Sequence, residues 1–219
     1  MTARNSVHMR LCVLAAAAIT AGALALSACA GGAPGGSGTP STPAPSQSAP
    51  APSPSPTPSA VYKPADAKGK AQNVPLPVMP EAAKAETKEG LEAFAKYWYA
   101  LMNYAYETGN LEPIRALSAP ASSCAMCDKI FPAVEKWNSE GRWVEGASIE
   151  VHALQTKFTK TNAGEYQVAV QSQQRAGTLR NADSTVGQTV QETSMLGDLL
   201  VAKFISGGWL VTNVDRLGG

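Results

Sequence analysis

Basic charge is not in excess, histidine is nearly missing, and no apolar run is long enough to cross a bilayer. The chain has 18 Lys and Arg against 17 Asp and Glu, with 2 His. Without a basic cluster there is no electrostatic footprint for a polyanion, so nucleic acid is not an expected partner. The uncharged apolar run Leu11 to Leu26 is shorter than the roughly 20 residues of a membrane-spanning helix. The segment Ala30 to Pro58 lacks charge, aromatics and β-branched aliphatics. It cannot bury enough apolar surface to offset the entropy of ordering, and its alternating prolines favour an extended spacer.

The leader has a basic start, Arg4 and Arg10, then the apolar run, then small residues. Leu26-Ser27-Ala28-Cys29 resembles the lipobox of a bacterial lipoprotein signal peptide. The resemblance implies a signal peptide over 1–28, a lipid on Cys29, a disordered linker over 29–60 and a globular domain over 61–219. It places the protein on the extracytoplasmic face of the cell membrane, with the membrane as partner through Cys29 and an envelope protein as a further candidate. Loss of Arg4 and Arg10 leaves 16 basic against 17 acidic residues.

Two of the 4 cysteines are then assigned: Cys12 leaves with the leader and Cys29 takes the lipid. Cys124 and Cys127 remain, and outside the membrane a local disulfide is the default. A redox site of thioredoxin type would want a strand directly before the pair, where Leu117 to Ala121 reads as a loop. A zinc site would need ligands beyond His152, the one histidine left after cleavage. No metal or cofactor is expected.

Periodicity divides the domain into a helical half and a strand-rich half. Prolines keep Val74 to Pro80 extended. From Glu81 or Thr87 a long helix runs to Thr108, because Leu91, Phe94, Ala95, Trp98, Leu101, Met102 and Ala105 recur at three- and four-residue spacing. Gly109 closes it, Asn110 caps a short helix over 111–117, and Pro132 suits the first turn of a third helix ending near Glu140. Strands are expected over Ser148 to Thr159, from Tyr166 onward, over Leu199 to Ile205, and over Trp209 to Arg216, the last two joined at Ser206-Gly207-Gly208. Arg175 to Ser194 reads as a long loop. This order predicts an α+β fold with three N-terminal helices on one antiparallel four-stranded sheet.

The extended Val74 to Pro80, Tyr97-Trp98-Tyr99, the stretch Asn103 to Gly109, the Cys124/Cys127 pair and Gly208-Trp209 resemble an uncharacterised family of actinobacterial lipoproteins. The element order also resembles the nuclear transport factor 2-like cone, which implies a curved sheet around a pocket. Enzymes of that fold use Asp, Tyr or His in the cone. The corresponding residues here are Tyr97, Tyr104, His152, Asp198 and Asp215, with Tyr97, Trp98, Tyr104 and Trp209 as candidate pocket lining. Each also has a plainer reading: Tyr97 and Tyr104 as core aromatics, His152 on the outer strand face, Asp198 as a turn residue, Asp215 as exposed. Three function classes follow: a non-catalytic binding module, a small-molecule enzyme or ligand binder using the cone, and an envelope redox protein. No catalytic residue is assigned.

Overall fold

The computed structural model describes residues 60–120 and 123–218. The expected signal peptide, the expected lipid site Cys29 and the expected linker up to residue 59 lie outside the described residues. Among those described, no helix is long and apolar enough to cross a membrane.

Helix α1 spans Lys88–Thr108. The Thr87 hydroxyl caps it, accepting from the Gly90 amide at 3.0 Å. Gly109 closes it at φ 75°, the left-handed conformation that suits glycine. Every apolar position of the sequence pattern, from Leu91 to Ala105, is buried. The alternative start at Glu81 is a separate 3₁₀ turn, Glu81–Lys84. Helix α2 is Glu112–Arg115, with the Asn110 side chain accepting from the Glu112 amide. Helix α3 is Ala125–Ser139. It starts a full two turns ahead of the expected position, so Pro132 lies inside it rather than in its first turn. Cys124 explains the early start: its Sγ caps the helix by accepting from the Cys127 amide. The proline then costs one hydrogen bond, to the Asp128 carbonyl.

Seven strands follow: β1 Trp143–Gly146, β2 Ile149–Gln155, β3 Tyr166–Gln174, β4 Gly177–Arg180, β5 Val186–Val190, β6 Leu196–Ile205 and β7 Gly208–Leu217. They form two antiparallel sheets, ordered β1-β4-β5 and β2-β3-β6-β7. This overturns the expected single curved four-stranded sheet and the nuclear transport factor 2-like cone. The stretch expected to be a loop, Arg175 to Ser194, holds β4 and β5. These strands are 4 and 5 residues long, and β5 is exposed along most of its length, so neither leaves a hydrophobic signature.

The inner face of the four-stranded sheet changes character along its strands. Trp209 and Tyr166 lie at one end, Val168, Leu200, Val211 and Val214 in the middle, and Ser172 and Asp198 at the other, all buried. Helix α1 fills the space above this face, with Phe94, Trp98 and Met102 fully buried in the shared core. The β6–β7 hairpin turns through Ser206 and Gly207, both at positive φ, as a tight two-residue turn requires. Outside β7, Leu117 and Ala119 exchange hydrogen bonds with Val211 at 2.9 and 2.7 Å, placing that segment parallel to the strand. Before α1, a small hairpin pairs Lys63 with Gln72. It is fastened by Tyr62, which donates to Glu107, and by the Trp143 indole, which donates to the Asp66 carbonyl.

Candidate functional site

Among the described residues Asp198 is the one buried charged side chain, 1% exposed. Burying a lone carboxylate is strongly unfavourable, so its partners define the site. Strand β6 carries Asp198 in phase with Leu200 and Ala202, on the face that meets α1. The Tyr99 hydroxyl from α1 donates to Oδ2 at 2.9 Å, and the Ser172 hydroxyl from β3 donates to the same oxygen at 2.8 Å. Arg216, the cross-strand neighbour on β7, brings Nε to 2.7 Å from Oδ1. That contact is an ion pair without the alignment of a hydrogen bond, so charge rather than a directed donor holds Oδ1. The Arg216 side chain is 40% exposed and forms the solvent end of the cluster.

Burial, followed by the Asp198 charge and hydrogen bond, raises the Tyr99 pKa. Tyr106 lies two turns further along the same helix face, and burial pushes its hydroxyl up to about 12 against a smaller opposing pull from Arg216. Both phenols therefore stay protonated across the physiological range. Tyr99 must act as a donor to the carboxylate, and Asp198 has both oxygens engaged. A general base needs a lone pair that a substrate can reach; this carboxylate instead ties one helix to three strands.

The other expected site residues lie elsewhere. Tyr97 is half-buried and packs on the core, and Tyr104, two turns further along α1, is half-buried too. Trp98 is buried, its indole donating to the Ser118 hydroxyl at 2.9 Å. Trp209 is buried in an aromatic group with Phe94, Tyr166 and Phe204. His152 is exposed, 3.8 Å from Glu150, and Asp215 is exposed. None of Tyr97, Tyr104, His152 and Asp215 shares a hydrogen bond or ion pair with Asp198. Tyr99, Ser172 and Arg216 are not singled out by the sequence. Strand parity is the available signal: carrying the β6 alternation back from Leu200 puts Asp198 inside, where it needs a cation.

Cys124 and Cys127 form a disulfide, with both residues buried at the first turn of α3. Among the described residues, no three His, Cys, Asp or Glu side chains gather as a metal site.

Residues 60–215 match the Family of unknown function (DUF6318). The chain belongs to this family. None of the curated proteins matches it. Among solved structures, the DUF6318 chain is similar to the intermembrane space region of chloroplast protein ARC6, with TM-score 0.43 and 10% identity over 61% of this chain and 98% of that one. It is also similar to Aln2 from a Streptomyces species, with TM-score 0.38 and 9% identity over 59% of this chain and 91% of that one. Likenesses of this strength carry no functional argument.

Proposed function

We propose that this chain is a lipoprotein of the bacterial cell envelope, held at the membrane through Cys29, whose DUF6318 domain is a non-catalytic module that binds an envelope partner. The observation that carries the non-catalytic reading is the engagement of Asp198. The buried carboxylate is held by two hydroxyls and a guanidinium, a pattern suited to fixing structure. Leu26-Ser27-Ala28-Cys29 at the end of the apolar run supports the anchor. The buried state of Cys124 and Cys127 favours a structural disulfide over a redox pair, which needs an accessible thiolate.

The anchor is tested by expressing the full chain and its Cys29→Ser variant in the native envelope. Diacylglycerol on Cys29 by mass spectrometry, with release or failed processing of the variant, is the expected result. A cleaved but unmodified Cys29 sinks the reading. Proximity labelling from the anchored domain tests the partner, with a Cys29→Ser form as control. Labelling that is identical for the two forms would remove the envelope partner from the proposal.

A further inference from the structure

A hollow lies where the three-stranded sheet faces α1 and α3. Two rows of side chains on that sheet border it. One row runs Val144, Leu179, Gln188 across β1, β4 and β5. The next runs Gly146, Gly177, Val190, and its two glycines bring no side chain. Gly177 has to be glycine, since a Cβ there would lie 2.3 Å from the Ala147 nitrogen. Ala147 sits against Gly177 where that side chain would be, and itself lines the recess. Trp137 of α3 closes over this small second core, leaving a recess of about 90 Å³.

We propose that this recess binds a small neutral ligand: one ring or short branched alkyl group carrying a single hydroxyl or carbonyl. Size sets the first limit. The volume is somewhat smaller than the roughly 150 Å³ engineered cavity that takes up benzene, so one ring enters with its edge left in the mouth. Charge sets the second. No Asp, Glu, Lys or Arg lines the recess, and an ionised occupant would lose its hydration without gaining a counter-charge. Hydrogen bonding sets the third. Tyr106, Gln174 and Gln188 are the polar lining residues, Gln188 being itself exposed. The Gln174 Nε2 is committed to the Ala147 carbonyl, and its Oε1 has no partner among the described residues. The Tyr106 hydroxyl and the Gln188 amide have none there either. A protonated phenol can donate and the glutamine carbonyl oxygens can accept, so the lining residues supply both functions that an alcohol or carbonyl needs. This inference does not rest on the envelope-partner reading, because it is argued from the lining of the recess alone.

The test uses the full chain with benzyl alcohol, toluene, benzoate and benzylamine as probes, followed by amide NMR shifts. Benzyl alcohol is expected to give saturable shifts at Val144, Ala147, Leu179, Gln188 and Val190, with a dissociation constant on the order of millimolar for so few atoms. Benzoate and benzylamine are expected to bind at least about tenfold more weakly, as the cost of stripping an ion requires. Val190→Phe fills the recess and should abolish the shifts. Gln188→Leu keeps the recess and should erase the preference for benzyl alcohol over toluene. Folding of each variant is checked by its remaining amide spectrum, and if Val190→Phe does not fold, Gln188→Leu decides. Absence of saturable shifts, equal binding of the charged probes, or an unchanged preference in Gln188→Leu overturns the proposal.

Discussion

Tyr99 and Asp198 stand 99 positions apart in sequence and are joined by one hydrogen bond of 2.9 Å in the buried interior. The bond fixes the middle of α1 to the start of β6, and Arg216 completes it from β7. Breaking a buried ion pair by removing one partner costs about 3–5 kcal/mol. Arg216 is partly exposed, so solvent screens its side of the pair. Arg216→Ala is expected to cost about 2–3 kcal/mol, below most of that range. Asp198→Asn should cost less, because the freed guanidinium turns to water and the amide still accepts from the two hydroxyls. Urea unfolding ranks the two variants; an Arg216→Ala protein as stable as wild type would show that the pair contributes nothing.

Alkaline pH acts on the same region with a definite sign. An unfolded tyrosine ionises near pH 10, whereas Tyr106 ionises at about 12 in the fold. Below the unfolded value the stabilisation is fully present. Above it the unfolded chain releases a proton that the folded chain keeps, so stability falls as pH rises towards 12. The slope is about 1.4 kcal/mol per pH unit for each such tyrosine. Tyr99 is raised as well and adds to the fall. Stability measured between about pH 9 and about pH 12 should drop less steeply in Tyr106→Phe. An equal slope in the variant would mean that the phenol titrates as it does in water.

Trp209 is 4% exposed, its indole donates to the Ala85 carbonyl at 3.2 Å, and Phe204 meets it edge-on at 4.9 Å. Trp209→Ala should cost roughly 3–5 kcal/mol, the range for a buried aromatic. Thermal melting reads this directly, and an unchanged midpoint would show that the surrounding rings close over the gap.

Removing the disulfide should have a smaller effect. Cys124 and Cys127 are 3 residues apart, so the closed loop restrains little of the unfolded chain. The loss should stay below the roughly 3 kcal/mol of a 15-residue loop. A serine at 124 can still cap α3, which makes the double change to serine milder than one to alanine. Melting curves of the two double variants test this order, and two rapidly alkylated thiols in the wild-type protein would show that the pair is open.

Much of this fold is legible because burial and periodicity agree. The apolar residues of α1 recur at helical spacing and are all inside, and the last hairpin announces its turn with Ser206 and Gly207. Elements that are short or exposed leave no such trace. Val186 to Thr189 of β5 are all exposed, so no alternation of burial marks it, and β1 is too short to show one. Pro132 hides the start of α3, a strong local signal overruled by the cap at Cys124. Gly197 gives Asp198 the local look of a turn residue, whereas strand parity turns it inward. Its partners Tyr99, Ser172 and Arg216 are brought near only by tertiary pairing. The recess beside Tyr106 is farther still from the sequence, since part of its lining comes from β1, β4 and β5, a sheet that the sequence pattern does not reveal.

The segment Leu117 to Ala119 along β7 bears on how neighbouring molecules meet. A sheet edge with free amides and carbonyls is a template for another chain's strand. Here the protein's own loop uses both polar groups of Val211 and blocks that template. At the opposite border β2 breaks its register between Val151 and Ala153 and carries Glu150 and His152, features that resist regular pairing. These two borders of the four-stranded sheet are therefore built to resist edge-to-edge pairing with a strand of another chain.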